Sequence, residues 1–327
     1  MRFVVFGAGA VGGVVAARLH QAGRPVAVIA RGAHYEAIRD RGLILEEPDG
    51  ATVLDIEAAD APGGLRWDSD DVVLLAVKSQ DTAGALSALR DATARCTAIV
   101  CLQNGVENER AALRLFERVY GAVVMVPAAH LAPGVVQSHA TRLTGIVDLG
   151  RYPSGCDECA ERISAALADA RFSSRVCDEV MRLKYAKLLL NLGNAVDAMF
   201  AEGKDAERLA GAAREEGRTV LSTAGIAHEA DEVANVGERW DRMGVRRDRR
   251  AGSSTWQSLR RGTGAVETDY LNGEIVLLGR LHHAATPVNE ALCRAAAHAA
   301  CEGVAPRSLS AAGLLSEIEE REGAWTR

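Results

Sequence analysis

The sequence predicts an α/β Rossmann-like N-terminal domain, doubly wound around a mostly parallel sheet, followed by an all-α C-terminal domain. Three observations predict it. Strand and helix signals alternate through the first half, a glycine-rich turn separates the first strand from the first helix, and nearly every segment after Val176 has helical periodicity. A boundary is expected near Phe172 to Val176, giving domains over residues 1–174 and 175–327.

Taken in order, Phe3 to Phe6 reads as a short apolar strand and Ala10 to Ala22 as a helix rich in small residues. Val26 to Ala30 is a second strand, followed by a helix around Ala33 to Arg41. Val72 to Val77 and Ala98 to Leu102 are continuous apolar runs of the kind that is buried on both faces of a parallel sheet. Helical stretches lie near Thr82 to Arg90 and Val106 to Phe116. Alternating strands then take over from Val119 to Leu149, punctuated by Pro133-Gly134. In the second half, helices are expected over Asp178 to Phe200, Ala206 to Ala224, Ser254 to Arg261, Tyr270 to His283 and Asn289 to Cys301.

Composition narrows the function. The 327 residues carry a net charge of -6, which argues against a nucleic-acid partner held through phosphates. The basic run Arg246-Arg247-Asp248-Arg249-Arg250 has no interleaved aromatics and reads as a solvated surface. The chain opens on a strand rather than a signal pattern, and no apolar run is long enough to span a bilayer, so a cytoplasmic protein with no membrane partner is expected. Seven cysteines fit reduced thiols. Cys156 and Cys159 form a lone C-x-x-C without a second pair, and no metal site is expected.

Gly7-Ala8-Gly9-Ala10-Val11-Gly12 follows the first strand and opens the first helix. Gly7 permits a tight turn, Gly9 lets the backbone approach a pyrophosphate, and Gly12 lets helix and strand pack closely. The helix N-terminus then offers unpaired N–H groups to the phosphates. With a strand before it and a helix after it, the motif predicts a bound dinucleotide. Where an NAD-binding chain usually places an acidic residue at the end of the second strand, this chain has Arg31, and no carboxylate is expected there to repel a 2′-phosphate. NADPH is therefore the expected cofactor. Lys78, Ser79 and Gln80, and Gln103-Asn104-Gly105, follow two buried strands at the edge where such a sheet presents its ligands. On the Asp178 to Phe200 helix, Lys187, Asn191 and Asn194 share one face at spacings i, i+4 and i+7. A polar stripe on so apolar a helix must face polar surroundings, either a ligand or solvent.

These pieces together resemble the ketopantoate reductase (2-dehydropantoate 2-reductase) family over essentially the whole chain. The matching residues are the glycine motif, Arg31, Lys78 with Gln80, Gln103-Asn104-Gly105, Ala132-Pro133-Gly134-Val135-Val136, Lys187-x-x-x-Asn191 and Ser253-Ser254. Glu267-Thr268-Asp269-Tyr270-Leu271-Asn272-Gly273 and Thr286-Pro287-Val288-Asn289 complete them. The resemblance implies NADPH-dependent reduction of a small-molecule 2-oxo acid to a 2-hydroxy acid, ketopantoate to pantoate in pantothenate biosynthesis. It assigns Lys187 as general acid and Glu267 as its carboxylate partner. Asn104 would lie near both nicotinamide and substrate, and Asn191 and Ser254, with Asn194 on the same stripe, would hold the substrate.

The chain departs from the family pattern at Ala195, where a second asparagine is usual, at Gly203-Lys204-Asp205, at Tyr185 in place of tryptophan, and around Gly262 and Gly264. These departures leave two alternatives standing: the same chemistry on another 2-oxo acid or a ketimine, and an NADPH-binding regulatory module without catalysis. Apolar surface in the helical half would suit a homodimer, although each such stretch would equally serve as core.

Overall fold

The computed structural model describes residues 1–228, 239–245, 252–262 and 266–325. The basic run Arg246–Arg250 and Gly264 lie outside them. The chain divides into two compact units. One is Met1–Lys184 with the described residues of Ala230–Arg250, and the other is Tyr185–Glu229 with Ala251–Arg327, again for the residues described.

In the first unit, β1 (Arg2–Phe6) pairs in parallel with β2 (Val26–Ile29) on one side and β6 (Asp71–Leu75) on the other. β5 (Glu57–Ala59) lies beyond β2, while β7 (Ala98–Cys101) and β8 (Arg118–Met125) lie beyond β6, all parallel. β11 (Gly145–Arg151) runs antiparallel to β8, and β12 (Phe172–Ser173) adds to β11 at the edge. Among the described residues the strand order is β12-β11-β8-β7-β6-β1-β2-β5. The direction of winding reverses at β1, so the crevice beyond its carboxyl end is a topological switch point, the place where such sheets bind ligands.

Both faces of the sheet are covered, which explains why its strands read as continuous apolar runs. Phe3 and Val5 face a core shared with α1 (Ala10–Gln21) and α5 (Glu158–Asp169), through Val14, Val15, Leu19, Ile163 and Leu167. Val4 and Phe6 face the opposite core, which α3 (Thr82–Ala92) and α4 (Asn108–Leu113) supply with Leu86, Leu89 and Ala112. A second sheet, not read from the sequence on its β3 and β4 side, covers α1. Its order is β4 (Gly50–Leu54), β3 (Leu43–Glu47), β10 (Val135–Ser138) and β9 (Ala128–Ala132). Val136 packs so closely on α1 that a Cβ on Gly13 would lie 2.6 Å from it. The residues Arg239–Val245 return to this unit, where Arg239 grips Asp148 with two hydrogen bonds of 2.6 and 2.8 Å.

The second unit is helical: the end of α6 (Val180–Asn191), α7 (Asn194–Met199), α8 (Lys204–Thr223), α9 (Ser254–Arg260), a 3₁₀ turn at Glu267–Tyr270, α10 (Asn272–His282), α11 (Pro287–Cys301) and α12 (Ala311–Trp325). The helix expected over Asp178 to Phe200 is broken into α6 and α7. Two features cause the break. Asn272 Nδ2 donates to the Leu192 carbonyl at 3.1 Å, and Gly193, a weak helix former, sits where a Cβ would lie 3.2 Å from Arg214 Nη2. Asn194 therefore starts a new helix, so it does not share one continuous helix with Lys187 and Asn191.

The same buried amide belongs to a larger network. Asn272 Nδ2 also donates to Asn289 Oδ1 at 2.9 Å, while Asn289 Nδ2 donates to the Ala213 carbonyl at 3.0 Å and to Glu216 Oε2 at 2.7 Å. Glu216 accepts in turn from the backbone N–H groups of Val288 and Asn289, which tethers the start of α11 to α8. Removing the Asn289 side chain strands several buried polar atoms at once. Asn289→Ala is expected to cost about 2–4 kcal/mol, read as a lower urea midpoint; an unchanged midpoint would show that the network is not stabilising.

Candidate active site

The glycine loop is shaped by close approach. Gly7 has φ of +103°, and a Cβ there would lie 2.7 Å from the Val77 nitrogen. Its own N–H donates to the Ile29 carbonyl at 2.9 Å, which ties the loop to the end of β2. At Gly12 a Cβ would run into the Gly7 carbonyl oxygen. Gly9, the residue that caps α1, is different: no atom lies within 4 Å of where its Cβ would be. The first turn of α1 has no side-chain cap and no acidic residue. The loop is thus crowded on its protein side and open at Gly9, where α1 begins, a cradle that fits a phosphate.

The turns after β6 and β7 flank this cradle in the sheet order. Lys78 leads into the turn Ser79–Asp81, with Gln80 exposed and Ser79 buried. Gln103, expected at the ligand edge, instead points inward. Its Nε2 donates to the Val77 carbonyl at 3.0 Å and to Thr82 Oγ1 at 2.7 Å. Thr82 Oγ1 donates to Asn108 Oδ1 at 2.8 Å, and Asn108 Nδ2 donates to Ser79 Oγ and to the Asn104 carbonyl, both at 3.2 Å. This network fixes the two turns against each other and leaves the half-buried Asn104 side chain at the strand edge.

Arg31 lies two residues beyond the end of β2 and immediately before α2 (Gly32–Arg41), with its side chain 70% exposed. The expectation that no carboxylate stands near it is corrected: Asp81 Oδ1 lies 3.3 Å from its Nη2. Asp81 arrives from the turn after β6, on the other side of β1, so adjacency in sequence could not show it.

Lys184 departs from the charged character of its segment. The charged stretch Asp178 to Lys184 reads as a wet helix start, yet Lys184 is buried. Its Nζ lies 2.6 Å from Oε1 of the fully buried Glu109 and donates to the carbonyls of Gln103 at 3.0 Å and Ala122 at 3.3 Å. Burial pushes the Glu109 carboxyl above its usual range, and the neighbouring Lys184 ammonium draws it back. The ammonium joins α6 to α4, to the turn after β7 and to the middle of β8. Neither residue was singled out from the sequence, because a lysine and a glutamate 75 positions apart carry no local pairing signal.

In the second unit, Lys187 and Asn191 lie one turn apart on α6, both half-buried. The oxygen Oδ1 of Asn191 is buried without a hydrogen-bond partner, as is Oγ of Ser254 at the start of α9. Asn194, on α7, is joined to the same helix start, since its carbonyl accepts from Ser253 Oγ at 3.1 Å. Asp197 Oδ2 accepts from the Ser253 N–H at 2.7 Å. Glu267 is buried and opens the 3₁₀ turn before α10. Two unsatisfied oxygens among residues selected for substrate contact suit an incoming polar ligand, because a buried acceptor left unpaired is costly. Cys156 and Cys159 merely flank the capped start of α5, where Asp157 accepts from the Ala160 N–H at 2.8 Å. Among the described residues no group of histidine, cysteine and acidic side chains could hold a metal ion, and no helix is long and apolar enough to cross a membrane.

A glycine cradle at the switch point of a doubly wound sheet, followed by a helical unit with polar groups on an apolar helix, defines the Rossmann-type oxidoreductase class. Comparison with known proteins makes this particular. The family described as "Ketopantoate reductase PanE/ApbA" matches residues 3–154, and its C-terminal counterpart matches residues 179–300. The chain belongs to the ketopantoate reductase family. It is 30% identical over 297 residues to a 2-dehydropantoate 2-reductase of Pyrococcus horikoshii, covering 88% of this chain and 94% of that protein. A 2-dehydropantoate 2-reductase of Caulobacter vibrioides is also 30% identical, over 87% of this chain and 94% of that one. Among solved structures, a ketopantoate reductase of Ralstonia eutropha JMP134 superposes with a TM-score of 0.78 at 30% identity, over 93% of this chain and 99% of that one. D-mandelate dehydrogenase, solved with NADH and anilino(oxo)acetate, shares the fold with a TM-score of 0.79 at 22% identity, over 92% of this chain and 99% of that one.

Proposed function

We propose that this protein reduces a 2-oxo acid to the 2-hydroxy acid with NADPH, and that ketopantoate is its substrate. The observation that carries the cofactor half is the glycine loop, open at Gly9 where α1 begins, at the switch point of the sheet. The Gly7–Gly12 loop, through the backbone N–H groups around Gly9 at the start of α1, would hold the pyrophosphate, Arg31 would take the 2′-phosphate, and Lys78, Gln80 and Asn104 would line the cofactor from the next two strand ends. When bound, the cofactor supplies the hydride.

The protein's own residues manage charge and proton. As hydride reaches the carbonyl carbon, negative charge grows on the carbonyl oxygen. The Lys187 ammonium stabilises that charge and passes its proton to the oxygen, leaving a neutral amine that solvent reprotonates. Glu267 favours the charged form of the lysine before the transfer. Asn104, Asn191, Asn194 and Ser254 orient the substrate's carboxylate and hydroxyl groups. The partnerless oxygens of Asn191 and Ser254 support this assignment.

The preference for NADPH has its own test. Arg31 trades Asp81 for a dianionic phosphate when the cofactor binds. Arg31→Ala should weaken NADPH by about 10- to 150-fold, the range for a hydrogen bond to a charged group, while NADH changes little. Equal losses for both nucleotides would remove Arg31 from 2′-phosphate recognition. Ala195, where the family carries asparagine, favours a second reading in which another 2-oxo acid is preferred. Side-by-side kinetics over several 2-oxo acids separate the two.

A further inference from the structure

His34 lies on the first turn of α2, three residues after Arg31, and its ring bridges two other segments. Nδ1 accepts a hydrogen bond from the Gly134 N–H at 2.8 Å, at the turn between β9 and β10. Nε2 lies 2.6 Å from the carbonyl oxygen of Ala8, inside the glycine loop. A backbone N–H can only donate, so Nδ1 must be bare, and Nε2 must carry the proton that it donates to Ala8. Both bonds exist together in one form alone, the neutral Nε2–H tautomer. A proton added at Nδ1 would set two donors face to face across 2.8 Å.

The surroundings favour that neutral form. Burial holds the His34 imidazole below its usual range, the Ala8 hydrogen bond opposes this, and His130 lowers it further. His130, on β9, is the titratable side chain that faces it, with ring centroids 4.2 Å apart, and its own Nδ1 lies 3.0 Å from the Val135 carbonyl. The glycine loop and the turn at Gly134 meet the two ring nitrogens through backbone atoms. On α2 and just before it, Arg31 is engaged by Asp81, and Arg39 by Asp40.

We propose that His34 is a positioning residue for the cofactor: its neutral ring holds the Ala8 carbonyl so that the loop's N–H groups stay aimed at the pyrophosphate, and protonation releases the loop and weakens nucleotide binding. The proposal rests on the dinucleotide reading of that loop. Its sign follows from linkage. A histidine whose pKa is lowered by folding contributes stability above its unfolded value near 6.5, and loses that contribution as pH falls below it. If the nucleotide prefers the neutral-His34 form, affinity falls with acid at up to tenfold per pH unit, the limit for one proton. By the same reciprocity, the bound nucleotide must lower the pKa of His34. Simple attraction between an anionic ligand and an imidazolium would instead raise it.

Two measurements on the full chain test this with NADP⁺, the acid-stable form. Calorimetric titration between pH 8 and pH 5 should show the acid loss of affinity in the wild type. It should be reduced in His34→Gln, whose amide can still donate to Ala8 but does not titrate. Any titration of the 2′-phosphate is common to both proteins and cancels in the comparison. Nitrogen-15 NMR of the histidine rings should show His34 as the Nε2–H tautomer, with its pKa lowered by NADP⁺. An unchanged acid limb in His34→Gln, or a His34 pKa that is unmoved or raised by NADP⁺, would overturn the proposal. NMR reads the wild type alone, so the proposal stays testable if the variant does not fold. Failure of NADP⁺ to bind even at pH 8 would overturn the cofactor reading itself, while the free protein's His34 tautomer would still be seen.

Discussion

Lys187→Met is expected to lower kcat for 2-oxo-acid reduction by about 10²–10⁴, the usual worth of a positioned proton donor, while NADPH still binds. The methionine keeps much of the lysine's apolar stem and removes only the ammonium. Stopped-flow measurement of NADPH oxidation in a single turnover reads the chemical step directly. Arginine at the same position is a sharper probe, because it keeps the positive charge and holds its proton far more tightly than an ammonium does. If Lys187 acts by proton transfer, Lys187→Arg remains slow. If charge alone matters, arginine restores much of the rate. A wild-type kcat in Lys187→Met would remove Lys187 as the acid.

Lys184→Met should have the largest effect on stability, a loss of about 3–5 kcal/mol, the usual cost of breaking a buried ion pair from one side. The methionine would leave Glu109 fully buried and without its cation, and would free the carbonyls of Gln103 and Ala122 from their shared donor. Replacing both partners, as in Lys184→Met with Glu109→Leu, removes the stranded charge and should recover most of the loss. Urea midpoints of the two single variants and the double variant give the coupling directly. Equal and additive losses would show that the pair does not act as a unit. Lys187 stands three residues beyond Lys184 on α6, and the Gln103 carbonyl that Lys184 holds immediately precedes Asn104. The double variant, once stable, should therefore retain cofactor binding but lose kcat, because it keeps the packing and gives up the fixed anchor of that helix.

The parts of this molecule that could be read from sequence are those with a local cause. The doubly wound sheet was legible because strands covered on both faces are continuously apolar, as in Val72 to Val77, and because Gly7, Gly9 and Gly12 are placed for a strand–turn–helix junction. The helical second half was legible from periodicity. What escaped depends on partners distant in the chain. β3 and β4 flank the turn Pro48-Asp49, but Gly50 to Val53 is exposed, so this hairpin lacks the apolar alternation that would mark it. The break after Asn191 depends on an amide from Asn272, eighty residues on, capturing the Leu192 carbonyl. Among the proposed site residues, Gly7 to Gly12, Arg31, Lys187 and Asn191 stand out in the sequence as types at telling spacings. Asp81 beside Arg31, Glu109 beneath Lys184 and the His34 bridge were not, because each is created by the fold bringing separate turns together.

If the glycine loop serves a reductase, initial rates of NADPH oxidation will show it. The purified chain would be given ketopantoate, and separately pyruvate, 2-oxoisovalerate and phenylglyoxylate, with NADH in place of NADPH as a parallel series. NADPH consumption is expected to be matched mole for mole by 2-hydroxy acid, with the highest kcat/KM for ketopantoate and a clear preference for NADPH over NADH. Tight binding of NADPH with no oxidation by any of these acids would contradict it, and would leave a nucleotide-binding protein without the reductase chemistry.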